Sequence, residues 1–187
     1  SPDLMDLYIV FDETLSSHLD SEIFIKNITE NSDGEGYNLI DGSDNIYRVL
    51  RPFPGTGVIQ FDVTSWDEVG NGIITSRQVS YNMVSSSSYS EVTSPDEVFT
   101  LDFTPNDIAA DASLLIRETE DESYILRSDI DRVSGVYLFS SEEMEISDEV
   151  DVSFKIPDYY SDVDPWKFRI FHNGDDVTSL SRKGIVY

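Results

Sequence analysis

At 187 residues the chain has room for one large domain or two small ones, and 39% hydrophobic with 12% aromatic residues is enough apolar material for packed cores. Its 37 Asp and Glu outnumber 12 Lys and Arg, and the net charge of −25 argues against nucleic-acid binding, which needs clustered cations to neutralise phosphates. The absence of cysteine removes disulfides, thiolate zinc sites and a thiol nucleophile, and no run reaches the ~18–20 apolar residues of a membrane span, so no membrane insertion is expected.

The periodicity is that of strands from the start. Residues 7–11 and 22–28 are short, rich in β-branched and aromatic side chains, and bounded by Asp, Ser and Asn. Between them residues 12–21 form a polar loop, and Asp33-Gly34 signals a tight turn. Residues 37–40 and 46–50 are expected to pair as a hairpin around 41–45. In residues 58–63 the alternation puts Val58, Gln60 and Asp62 on one face and Ile59, Phe61 and Val63 on a core-facing one. After a turn at 67–72, a further strand runs from Ile73 to about Val84. That many short strands in roughly eighty residues matches one small sandwich.

Residues 85–97 hold four consecutive serines and Pro95 without periodicity, and are expected to be a linker. Strand character returns at 98–103, 113–117, 124–127, 135–139, 150–157 and 166–172. The stretches 108–118 and 140–146 compete as helix for one turn at most, because Leu114, Leu115 and Ile116 run together instead of forming a helical stripe. The fold class expected is therefore all-β, two tandem β-sandwiches at 1–84 and 98–187, the second truncated at its C-terminus. Residues 1–4 lack the basic and apolar regions of a signal peptide, and 183–187 read as a strand breaking off, so the chain is expected to be cut from a longer exported protein.

The run Gly57-Val58-Ile59-Gln60-Phe61-Asp62-Val63-Thr64-Ser65-Trp66-Asp67-Glu68-Val69-Gly70-Asn71 resembles the penultimate strand and loop of bacterial Ig-like (fibronectin-III-like) domains, where a glycine-led alternating strand ends in an Asp-x-x-Gly-Asn turn. Asp and Asn at such a turn cap free backbone N–H groups and tolerate left-handed geometry. Trp66 before the Asp, and Glu68-Val69 within the turn, depart from the usual pattern. More weakly, 135–139, 150–157 and 168–174 resemble C-terminal sandwich modules of exported subtilisin-type proteases. The resemblance implies an accessory module and carries over no catalytic residue.

Serine hydrolysis needs a base, and the two histidines, His18 in a polar loop and His172 on a strand, come without a Gly-x-Ser-x-Gly motif. A carboxylate-pair glycosidase needs a cleft that small sandwiches seldom enclose. Calcium is the metal the composition suits, since it takes six to eight oxygens. The candidate ligands are Asp33 and Glu35 with Asn31, Asp41 and Asp44 with Ser43, Asp129 and Asp131, and Asp158, Asp162 and Asp164; none completes an EF-hand loop. Glycan recognition needs exposed rings, and Tyr159, Tyr160 and Trp166 are the candidates, though adjacent tyrosines point opposite ways if the backbone is extended. The reading is a non-catalytic spacer or interaction module of a secreted or cell-surface protein, monomeric, whose partners are other domains of the same polypeptide and a glycan or protein ligand. The alternative is a carbohydrate- or surface-binding module using loop aromatics and calcium.

Overall fold

Alternation of apolar and polar residues dictates strands, and strands are what form. The computed structural model describes residues 4–12, 14–16, 19–39, 45–52, 55–119, 134–141, 143–160, 162–163, 168–172 and 175–176. The chain divides into two compact units, Ser1–Val79 and Ser80–Tyr187, and the division falls inside one strand. The architecture is all-β, with antiparallel pairing throughout the described ladders.

In the first unit β1 (Leu4–Val10) pairs with β4 (Ile46–Pro52). β2 (Glu22–Asn27) lies between β3 (Glu35–Asn38) and β5 (Gly57–Trp66), and β5 also pairs with β6 (Gly72–Val84). The alternation read from the sequence is realised in part: Ile23, Ile25, Ile59 and Phe61 are buried, with Ile25 opposite Phe61, whereas Val63, expected on the same core-facing side, is half-buried. Tyr47 and Val49 of β4 are buried.

The hairpin expected between 37–40 and 46–50 does not form. β3 instead folds back on β2, and β4 goes to β1. The turn between β2 and β3 explains the choice. Asn27, fully buried, accepts the Glu30 N–H on Oδ1 at 3.0 Å and donates from Nδ2 to the Thr56 carbonyl at 3.0 Å, while its own N–H goes to Ser32 Oγ at 3.0 Å. Gly34 then takes φ +78°, and a Cβ there would come within 2.5 Å of the Phe24 ring. Only glycine satisfies both the left-handed backbone and the overlying ring.

The second unit begins with the C-terminal half of β6, which pairs with β9 (Ala112–Thr119), itself paired with β10 (Val136–Ser140). A second sheet has the order β11 (Asp151–Phe154), β8 (Phe99–Phe103), β7 (Ser90–Thr93). Val84, Ala112, Leu114 and Ile116 from the first sheet meet Val92, Phe99, Leu101 and Phe103 from the other in one cluster, with Ile108 beside them. Two sheets burying their inner faces against each other is the sandwich arrangement. β12 (Phe171–His172) and β13 (Asp175–Asp176) form a small separate ribbon.

Residues 85–97, expected to be a linker, are part of this sandwich. They contain β7, in register with β8 and with Val92 in the core. The serines there complete backbone hydrogen bonds: Ser85 N–H donates to Ser90 Oγ at 3.0 Å, Ser86 N–H to Asp111 Oδ1 at 2.7 Å, and Phe99 N–H to Ser94 Oγ at 2.9 Å. Short hydroxyl side chains serve as readily to pin a tight loop as to solvate a flexible one. The strand expected at 124–127 lies outside the described residues.

Phe103 is 1% exposed, and truncation of a core Phe costs about 3–5 kcal/mol. Phe103→Ala is therefore expected to lower the unfolding free energy of the second unit by that amount, read as a lower urea midpoint at unchanged slope by far-UV circular dichroism. In the first unit, Gly34→Ala is expected to destabilise by about 1 kcal/mol or more from the backbone conformation alone. Part of that loss should return in a Phe24→Ala background, where the ring no longer opposes the new methyl.

Candidate functional site

Pro157 ends the run of extended residues that follows β11, and the chain turns immediately into a 3-10 turn, Asp158–Tyr160. The turn is closed by Tyr160 N–H donating to the Pro157 carbonyl at 2.9 Å, and the next by Val163 N–H donating to the Tyr160 carbonyl at 2.9 Å. Because the backbone is coiled here, the two tyrosines do not diverge. Their ring centroids are 4.2 Å apart at an interplanar angle of 42°, and Phe168 meets Tyr160 edge-on at 6.3 Å. Tyr159 is 75% exposed. The rings do not point opposite ways as they would in an extended chain, and Tyr159 is the exposed one, with Tyr160 half-buried against Phe168.

Asp158, the first residue of the turn, lines a shallow depression of about 240 Å³ together with Asp96, Val98, Lys155, Ile156 and Pro157. The opposite wall is the tight turn joining β7 to β8, where Glu97 adopts φ 59°. Asp96 organises that turn: Oδ1 accepts Ser94 Oγ–H at 2.5 Å and the Val98 N–H at 3.3 Å, and Oδ2 accepts the Tyr137 hydroxyl at 2.6 Å. Tyr137 stacks on Phe99 at 5.1 Å and 9°, and Phe154 leans on both rings. Burial, then the Asp96 carboxylate, push the Tyr137 hydroxyl well above its ordinary pKa, so it remains a donor. The Lys155 N–H bonds the Val98 carbonyl at 2.8 Å, which joins the two walls through the backbone.

Of the calcium candidates, Asp158 and Asp162 flank the 3-10 turn and are exposed, as are Asp33 and Glu35 around the β2–β3 turn. Glu35 accepts a hydrogen bond from the Tyr37 hydroxyl. Among the described residues no three His, Asp or Glu side chains converge as they would around a metal ion. Asp41, Asp44, Asp129, Asp131, Asp164 and Trp166 lie outside the described residues, as does His18.

The Asp67 turn acts as its residue types suggest. Oδ1 of Asp67 accepts N–H groups of Val69 at 3.0 Å and Asn71 at 2.7 Å, and Oδ2 accepts the Asn71 side-chain amide at 2.6 Å. The Asn71 side chain, followed by these backbone donors, holds the carboxyl below its usual pKa. Trp66 packs over Gly72, where a Cβ would come within 2.5 Å of its ring. Thr14, Asp67, Glu68 and Val69 line a second shallow depression of about 300 Å³.

One arrangement was not legible in advance. Strand register sets Glu91 of β7 opposite Asp102 of β8, and Asp102 opposite Asp151 of β11. Like charges directly opposite one another destabilise a sheet, and the Tyr89 hydroxyl relieves this row by donating to both Asp102 and Glu91. The bond to Asp102 comes first among the influences that push the Tyr89 hydroxyl up to about 12 from 10.0. A raised folded-state value stabilises the protonated form. The contribution is complete below pH 10 and is lost as pH climbs through 12. Asp102→Asn is expected to return the Tyr89 titration midpoint toward its ordinary value, as followed by NMR of the ring ζ-carbon.

No family model matches the chain, and neither a curated protein nor a solved structure was found to be similar to it, so the site rests on its own geometry.

Proposed function

We propose that the chain is a non-catalytic spacer or interaction module of a larger secreted or cell-surface protein, built from two tandem immunoglobulin-like sandwiches, with the Asp158–Tyr160 turn as its contact surface. The observation that carries this reading is the exposed Tyr159 ring, held at 4.2 Å against Tyr160 and next in sequence to Asp158, which lines a shallow depression of mixed charged and apolar residues. Large rigid rings with few rotatable bonds give contact area at low entropic cost, which is why Tyr is enriched where proteins meet partners. The scaffold beneath is suited to presentation, since one wall of the depression is tied to the sandwich core through Asp96 and Tyr137. A high negative charge keeps such a module soluble and apart from its own copies. The other domains of the same polypeptide are its first expected partners.

The second reading is a carbohydrate- or surface-binding module. An exposed ring with carboxylates at its edge offers both an apolar face and hydrogen-bond acceptors to a sugar, and Asp158 and Asp162 stand at either side of the tyrosine pair. Calcium at this turn would draw on the same two carboxylates.

Tyr159→Ala removes an exposed ring, so melting temperature should move by no more than a degree or two. On a glycan array the same substitution is expected to abolish the signals of the unaltered chain. Array silence from the unaltered chain would remove the carbohydrate reading. Calorimetric titration with calcium, in the unaltered chain and in Asp158→Asn/Asp162→Asn, decides whether that turn takes the ion.

A further inference from the structure

The depression beside the tyrosine pair has a charge pattern that selects among ligands. Among the described residues, the charged side chains that line it are Asp96, Asp158 and Lys155. Asp96 is already committed to three donors, the Ser94 hydroxyl, the Val98 N–H and the Tyr137 hydroxyl. Asp158 is exposed and makes no hydrogen bond or ion pair among the described residues, so its carboxylate faces outward with its acceptor capacity open. It stands next in sequence to the exposed ring of Tyr159, whose π-face attracts cations as well as C–H groups. The wider field points the same way, since a chain of net charge −25 concentrates cations and turns away anions within a Debye length of its surface.

We infer that this depression and turn bind a sugar chain bearing free amino groups, with a pyranose ring lying on Tyr159, its ammonium at the Asp158 carboxylate, and ring hydroxyls accepting from Lys155. The inference rests on the carbohydrate reading above and narrows it to amine-bearing glycans. Acetylating the amine removes the charge that Asp158 and the Tyr159 face recognise. A uronate or sulfated sugar brings an anion to a carboxylate-lined surface. The uncommitted Asp158 thus becomes the residue that reads the ligand, while Asp96, locked into the β7–β8 turn, fixes the opposite wall.

The test is isothermal titration calorimetry, with amide chemical-shift mapping, on the full chain. The probes are a glucosamine tetramer, the N-acetylglucosamine tetramer of equal length, and a glucuronate-containing tetramer. The amine form is expected to bind at least about tenfold tighter than the acetylated form, with shifts centred on residues 155–160, and the glucuronate form not at all. Tyr159→Ala should cost about tenfold or more, Asp158→Asn several-fold with a weaker salt dependence, and the distant control Glu143→Gln nothing. Equal affinity for amine and acetylated tetramers would overturn the inference while leaving the carbohydrate reading intact. Binding of neither would remove both. Amine binding that survives Tyr159→Ala and Asp158→Asn alike would be attraction to diffuse negative charge, and would overturn the site.

Discussion

Phe103, Ile116 and Leu114 have almost none of their surface in water, and each sits on a strand, β8 or β9, that buries alternate residues. That commitment fixes register, because a slip of one residue would exchange the whole apolar set of β8 or β9 with its outward-facing neighbours. With register fixed, outward positions are fixed as well. Thr93 meets Thr100 through their hydroxyls at 3.1 Å, and Glu91 and Asp151 flank Asp102. The turns then follow from where the strands end, and the depression lined by Asp96 and Asp158 lies between two such ends.

An excess of 25 negative charges is tolerable only if the acids are distributed to places where they help. Several cap backbone donors. Asp107 accepts the Thr104 N–H at 2.6 Å and the Thr104 hydroxyl at 3.0 Å, Asp111 takes both the N–H and the hydroxyl of Ser86, and Asp67 takes two N–H groups across its turn. Charge-assisted bonds of this kind are shorter and stronger than neutral ones. Where acids fall opposite one another, as along β7, β8 and β11, a tyrosine hydroxyl intervenes. The acidity is thus partly a structural resource, spent in turns that would otherwise leave N–H groups without partners.

Much of the fold was legible because alternation is a local property. The inward places of Ile59 and Phe61 could be read from six residues, though Val63 of the same set stays half-buried, and the Asp67–Asn71 turn could be read from the chemistry of its two ends. Partner choice was not legible, since β3 and β4 are neighbours in sequence yet join different strands, and nothing within 37–50 states that the turn at Asn27–Gly34 has already claimed β3. The serine run misled for a related reason: composition reports polarity, while Ser85, Ser86 and Ser94 are fixed by partners as far away as Asp111. The tyrosine pair was identified from the sequence but its geometry was not, because a 3-10 turn and an extended strand place adjacent side chains differently. The carboxylate row needed register across three strands, which no single segment encodes.

Asp96 belongs to two structures at once. Its carboxylate closes the β7–β8 turn and receives the hydroxyl of Tyr137, whose ring lies on Phe99 in the core, while the same residue walls the depression. The facing wall, from Lys155 through Tyr160, meets the sandwich mainly through backbone bonds, such as that from Lys155 to Val98. The two sides therefore differ in how freely evolution can revise them. Exchange at Asp96 would be felt through the sheet, whereas Lys155 and Asp158 present exposed side chains and Tyr159 leans only on the neighbouring Tyr160. Descendants of such a sequence would keep one wall and diversify the other, so that a lineage could change what it recognises without first having to re-stabilise its scaffold.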